Sequence, residues 1–134
     1  MRVITLHEPW ASLIGENIKI IETRSWPCYQ YGELYIHAGQ MPIPKNDTRK
    51  NELSKLLSGS LHHGTIFAKC ILSDCILIDE QFANAVKEDN LNNYLCGDYT
   101  PGRYAWILTN IEPITPIKAT GKQGIWYFNP DNLY

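Results

Sequence analysis

Three charged residues fall within six positions of an otherwise apolar stretch: Lys19, Glu22 and Arg24 in IKIIETRSW, residues 18–26. Glu22 and Arg24 are two apart, so on a regular strand both side chains project from one face. Their neighbours Ile20 and Ile21 expect burial. Charges among buried residues are costly unless they pair with one another or meet a ligand. The cluster is therefore either a salt-bridged strand face at the rim of a sheet or the charged floor of a cleft. If Glu22 pairs with Lys19, the ammonium is an anchor for a carbonyl or a phosphate. If Arg24 takes Glu22 bidentately, Lys19 is left beside a cation and is free to activate water or attack an acyl carbon. Arg24 or backbone N–H groups would then hold the oxyanion. The sequence leaves both open.

Aromatic residues surround this cluster. Trp10 and Trp26 bracket it, as suits a pocket that stacks a flat ring and hydrogen-bonds its edge, although a tryptophan is also a common core residue. Ser12, beside Trp10, belongs to the same candidate ligand-binding set. His37 lies on the face of its strand opposite Leu34 and Ile36; it lines the site if that face is open and is structural if it is closed. In GDYTPGRYAW, residues 97–106, the turn Thr100-Pro101-Gly102 presents Tyr99, Arg103 and Tyr104 around a strand start. An arginine between tyrosines can hold a phosphate or carboxylate, or simply stack. The run 122–126, KQGIW, repeats the theme of a glycine turn leading into an aromatic strand.

No metal or cofactor is expected. Cys28, Cys70, Cys75 and Cys96 form no C-x-x-C pair, and His7, His37, His62 and His63 do not fall at zinc-site spacing around them. Cys70 and Cys75 are an odd number of residues apart, so on one continuous strand they face opposite ways and stay reduced. His62-His63 has no acidic or sulfur partner at ligand spacing and is expected to be exposed. Nucleophile-elbow, P-loop, dinucleotide-binding and H-E-x-x-H motifs are all missing.

The elements that must position these residues follow from periodicity and punctuation. Arg2–Leu6 reads as a strand, Pro9 opens a short helix carrying Trp10, Leu13 and Ile14, and residues 18–26 form the second strand. Glu33–Ala38 alternates as a strand. Asp47 caps a helix with Leu53, Leu56 and Leu57 inward and Gly59 as its stop. Residues 64–78 read as a long strand with a bend near Ser73-Asp74, residues 79–89 as a helix with Phe82 and Val86 inward. Residues 102–111 and 124–128 are the last strands. A small, mostly antiparallel barrel decorated by two to three helices, an α+β fold, accommodates this order. The regular strand–helix alternation of a doubly wound sheet is absent.

With 134 residues and 44% hydrophobic content, the chain is expected to form one domain (1–134). Its net charge of -2 argues against a polybasic coat for long nucleic acid or membrane surface. Charged residues make up only 19%, against about 25% in typical proteins. With neither a signal peptide nor an apolar run of ~20 residues, the chain is expected to be soluble and cytoplasmic, without membrane association.

Taken in order, HEPWASLIGENIKIIETRSWP, YGELYIHAG, GTIFAKCILSDC, GDYTPGRYAWIL and GKQGIW resemble the ASCH domain (activating signal cointegrator homology) from Thr5 to Trp126. The ASCH signature is a Q-P-W-A-like turn and helix leading into G-x-K-x-x-E-x-R-x-W. ASCH domains resemble the PUA domain, so the resemblance implies a small mixed β-barrel associated with RNA binding. It further implies a cleft floored by Lys19, Glu22 and Arg24, with Trp10, Trp26 and the Tyr99–Tyr104 block nearby. The partner implied is RNA or a modified nucleoside, or else a protein, since other members are described as coactivator modules and one as a ribonuclease. One bacterial branch removes the acetyl group from N4-acetylcytidine and is implied to use a lysine, a threonine three residues on and a distant glutamate. Lys19 matches that lysine, but Glu22 stands three residues on, with Thr23 one place out of register. For the distant acid, Asp74, Asp79 and Glu80 are the candidates.

Overall fold

Ten regular elements follow one another in the computed structural model, which describes residues 1–133. They are β1 (Arg2–Leu6), α1 (Trp10–Gly15), β2 (Ile21–Arg24), β3 (Gly32–Ala38) and α2 (Thr48–Ser54) in the first half of the chain. The second half holds β4 (Thr65–Leu77), α3 (Glu80–Asp89), α4 (Leu91–Leu95), β5 (Tyr104–Lys118) and β6 (Ile125–Tyr127), then a 3₁₀ turn over Pro130–Leu133. All six strands belong to one sheet in the order β2-β5-β4-β3-β1-β6. Every pairing is antiparallel except β1 with β3.

The sheet curls into a half-barrel because its two longest strands are irregular. The β4–β5 register shifts between Ile66 and Ala68, between Lys69 and Ile71, and between Leu72 and Asp74. Such bulges increase twist and bend the strand. Asn110, at φ 51, supplies the left-handed residue beside one of them. Curling brings edge strand β2 back toward β1, and Arg24 Nη2 donates to the Thr5 carbonyl at 3.5 Å across the seam. The barrel is open there, and the seam is where a cleft forms.

The core is filled from both sides of the curl. Trp106, Leu34, Ile36 and Leu72 are fully buried among the strands, and Ala11 and Ile14 of α1 close over them. The opposite side of α1 is not free either: Leu13 packs with Leu53 of α2 and with Cys96. Helix α1 is thus sandwiched between sheet and α2, and holds Trp10 at a fixed place on the seam.

The main departures from the sequence reading each have a physical reason. The strand expected over 18–26 is regular only at Ile21–Arg24, because Lys19 precedes the ladder and Trp26 has left it toward Pro27. The strand expected to end at Ile111 runs on to Lys118 through Pro113 and Pro116. Prolines are tolerated because β2 pairs only with residues 104–107 and the last bond on that edge is the Leu108 N–H to the Ile20 carbonyl, so beyond Leu108 that edge of β5 has no strand partner among the described residues. Helix α4 was not legible: five residues are too few to show a period, Leu91 and Leu95 stay exposed with Tyr94 alone of its apolar residues packed inward, and its start is set by a cap, the Asn93 N–H donating to Asn90 Oδ1 at 3.2 Å. Finally, the bulge at Leu72/Asp74 resets the side-chain alternation, so Cys75 packs against the same cluster that buries Cys70 instead of facing away. Among the described residues, no helix is long and apolar enough to cross a membrane.

Candidate functional site

At the open seam lies a cavity of about 780 Å³, within the usual range for small-molecule sites. Its floor is the cluster singled out by sequence. Glu22 bridges both cations: its Oε1 lies 3.3 Å from Lys19 Nζ, and its Oε2 accepts from Arg24 Nε at 2.9 Å and lies 2.9 Å from Nη2. Both pairings open in the sequence are therefore realised together. Lys19 is 1% exposed and also donates to the carbonyls of Ile21 at 2.7 Å and Cys96 at 3.2 Å. The ammonium is thus enclosed by protein oxygens, two carbonyls that accept its N–H groups and the Glu22 carboxylate beside them. Arg24 is different. It is only partly buried and carries N–H groups on the cavity side of the seam.

The walls come from segments distant in sequence. Trp26 lies at the rim, 38% exposed, with its ring edge-on to the buried Trp106 at a centroid distance of 4.7 Å. Trp106 Nε1 donates to the Trp26 carbonyl at 3.2 Å, which fixes the backbone under the ring. Trp10 also lines the cavity, but Lys50 Nζ sits 5.3 Å from its ring centre. One face of Trp10 is thus already covered by a cation, whereas Trp26 offers a more accessible ring. Thr23 Oγ1 accepts the Asp98 N–H at 3.0 Å, and Arg103 donates to the Thr23 carbonyl at 3.2 Å while lying 3.5 Å from Asp98. Asp98 accepts the Thr100 N–H and hydroxyl at 3.1 and 2.6 Å, and those bonds, with the charges of Arg103 and Arg49, hold its carboxyl below the usual carboxylate range. Cys96 lines the cavity as well, but burial pushes its thiol up, so it is an inert wall.

Five cations (Lys19, Arg24, Arg49, Arg103 and Lys122) border this cavity against two carboxylates, Glu22 and Asp98. The local excess of three positive charges stands in a chain whose net charge is -2. The cleft is a positive site on a negative protein.

Of the residues expected at the site, Lys19, Glu22, Thr23, Arg24, Trp10, Trp26 and Arg103 line this cavity. Five others lie elsewhere. Ser12 is fully buried within α1, donating from its hydroxyl to Glu8 Oε2 at 2.5 Å and lying 2.9 Å from His62 Nδ1. That contact, with the His62 ring stacked on Phe67 at 4.0 Å, also corrects the expectation that His62 is exposed. Tyr99 is buried against Tyr94 and faces a second, smaller cavity beside α3. Tyr104 packs on the core. Asp74 is exposed on β4, where its Oδ1 accepts from the Cys75 N–H and the Tyr31 hydroxyl. The other candidate acids are also remote: Asp79 caps α3 by accepting from the Phe82 N–H, and Glu80 borders the second cavity.

His37 is the fifth, and its surroundings define its state. Trp126 Nε1 donates to Thr5 Oγ1 at 2.9 Å; the Thr5 hydroxyl lies 3.1 Å from His37 Nδ1, and His37 Nε2 lies 2.7 Å from the Ala119 carbonyl. A carbonyl only accepts, so Nε2 carries the proton and Nδ1 accepts from Thr5. Burial lowers the pKa of this histidine, partly offset by its bond to Ala119. A histidine with a lowered folded-state pKa contributes stability that is complete above its unfolded value of about 6.5 and is lost as pH falls below it. The melting temperature is therefore expected to drop between pH 7.5 and 5.5, with a shallower slope in a His37→Gln protein. An identical slope in that variant would show that other groups carry the dependence.

Sequence reasoning missed Arg49, Asp98 and the stretch 120–123, all of which line the cleft. Asp98 follows a glycine and Gly121 and Gly124 punctuate the last segment, so glycine next to polar side chains was the available signal. Nothing in the sequence marks Arg49, which reaches the site by donating from α2 to the carbonyls of Leu95 and Gly97 at 3.3 and 3.0 Å.

Comparison with known proteins agrees with this fold. The family model described as "ASCH domain" matches residues 4–118. Activating signal cointegrator 1 of Mus musculus is 31% identical over 98 residues, covering 65% of this chain. The aligned part is 17% of that protein, so the chain spans about a sixth of the length of its curated relative. The crystal structure of ASCH from Zymomonas mobilis superposes with a TM-score of 0.58 at 16% identity, covering 97% of this chain and 88% of that one. A tyrosine-to-phenylalanine mutant of that same protein gives 0.59 at 16% identity, with 97% and 91% coverage. At such identity these structures speak for the fold, an α+β half-barrel of the PUA-like kind.

Proposed function

The chain belongs to the ASCH domain family, a family associated with RNA binding, and on that premise we propose that its seam cleft binds single-stranded RNA or a nucleotide-like ligand. One base stacks on Trp26, and Arg24 with its neighbouring cations makes the polar contacts. The observation that carries this reading is the excess of positive charge around the cavity of a net-negative chain. Charge confined to one pocket favours one or a few nucleotides over a long duplex, whose affinity would need an extended basic face. Glu22 holds Lys19 and Arg24 in place, so the floor is set before a ligand arrives. Such preorganisation reduces the ordering cost of binding.

The test is equilibrium binding of a short single-stranded RNA to wild type, Arg24→Ala and Lys19→Ala, each checked for native fold by circular dichroism. Loss of a charge-assisted contact in Arg24→Ala is expected to weaken binding about tenfold or more. Unchanged affinity in both variants would remove the cleft from the account.

A second reading has one observation in its favour. Lys19, Thr23 and a carboxylate, Asp98, line the same cavity, and a lysine, a threonine and an acid are the residue kinds implied for the N4-acetylcytidine amidohydrolase branch. Metal-free incubation with N4-acetylcytidine decides it. No cytidine above the Lys19→Ala background would end the hydrolase reading, and the burial of Lys19, bonded to two carbonyls and paired with Glu22, favours that outcome. Cleavage that Thr23→Val and Asp98→Asn both abolish would establish it instead.

A further inference from the structure

One wall of the cleft is a loop of five residues, Thr120-Gly121-Lys122-Gln123-Gly124, all bordering the cavity. Its backbone is held from below. His37 Nε2 bonds the Ala119 carbonyl at 2.7 Å, and the Ala119 N–H donates to the Gly64 carbonyl at 3.1 Å. A Cβ on Gly121 would meet the His37 ring at 2.7 Å and Thr5 Oγ1 at 2.8 Å, so only glycine lets the loop lie this close to the sheet. Among the described residues, no protein acceptor takes the N–H groups of Thr120, Gly121, Lys122 or Gln123. Lys122 is exposed and forms no ion pair among the described residues. A glycine-containing loop with unspent amides and a lysine is suited to an anion, because backbone donors and a long-stemmed ammonium together surround a tetrahedral oxyanion.

The opposite wall supplies the complement. Thr5 joins the two sides: its hydroxyl belongs to the His37 network that holds the loop, and its carbonyl accepts from Arg24. The cations not absorbed by Glu22 and Asp98 therefore border the same cavity as this loop.

We propose that the loop from Thr120 to Gly124, with Lys122, is a phosphate subsite, so that the preferred ligand is a phosphorylated nucleoside unit and not the bare nucleoside. This rests on the reading of the cleft as a nucleotide site and narrows it to a ligand chemistry. Free nucleotide and nucleotide within RNA share that unit. His37 is a positioning residue here, acting through the Ala119 carbonyl.

The experiment is calorimetric titration of the full chain with cytidine, its 5′- and 3′-monophosphates, the dinucleotide CpC and inorganic phosphate. Wild type is expected to bind a monophosphate or the dinucleotide about tenfold more tightly than cytidine. Lys122→Ala should bring that ratio down several-fold, and Gly121→Ala, which must lift the loop off His37, should bring it close to one. Preference for either monophosphate over CpC would mark a free nucleotide as the ligand, and the reverse would mark RNA. Inorganic phosphate that displaces the monophosphate supports a shared subsite, whereas phosphate that binds without displacing it contradicts one. Equal affinity for cytidine and its phosphates in wild type would overturn the subsite while leaving the cleft in place. If none of the ligands binds, the reading of the cleft fails and the subsite with it.

Discussion

In a Glu22→Gln protein the free energy of unfolding is expected to fall by about 3–5 kcal/mol, the cost of removing one partner of a buried ion pair. Glu22 is the shared carboxylate of two cations, one of them Lys19 at 1% exposure. An amide cannot compensate a buried ammonium and a guanidinium together. Lys19→Met removes the buried charge itself and leaves Glu22 paired with Arg24. Its cost is that of the Ile21 and Cys96 carbonyls left without a donor, offset because no ammonium then has to be buried, so the net loss is the smaller of the two. The account therefore predicts an order, with Glu22→Gln less stable than Lys19→Met by urea denaturation at neutral pH. The reverse order would mean that the triad is not held together by Glu22.

For binding, the largest loss is expected from Trp26→Ala. Stacking of a base on an aromatic ring contributes about 1–3 kcal/mol by alanine substitution, roughly a 5- to 150-fold weakening. Trp26 is partly exposed, so its removal should cost little stability beyond its edge contact with Trp106. Trp26→Phe keeps a ring at the same place and should retain most of the affinity. Trp10→Phe is expected to matter less, since Lys50 already lies over that indole. Fluorescence anisotropy with a labelled oligonucleotide separates these cases. Wild-type affinity in Trp26→Ala would exclude stacking on that ring.

How far the sequence carried these conclusions depended on the range over which each signal acts. Lys19, Glu22 and Arg24 were legible because charges two and three residues apart in an apolar run violate a local rule, and ligand sites are where such rules are broken. The strands β1, β3 and β4 were legible from alternation and β-branched content. The half-barrel's seam was not, since it depends on bulges in β4 and β5 that bring β2 round to β1. Ser12 and His37 were placed in the ligand set on types and neighbours alone. Whether a strand's second face is open or closed is decided by what packs on it: Trp126 and Ala119 close the face of His37, and Glu8 with His62 enclose Ser12. Arg49 and the loop after Ala119 come from connections without periodicity, so only the folded chain shows that they border the cleft.

The central claim, that the charged seam is the ligand site, is tested most directly by the indole and arginine side-chain resonances of the labelled protein during titration with a short single-stranded RNA. Signals of Trp26, Trp10 and Arg24 are expected to move in a saturable manner. Perturbations confined to exposed residues outside the seam, such as Tyr29, Tyr31 and Tyr127, with Trp26 and Arg24 unmoved at saturation, would contradict the account.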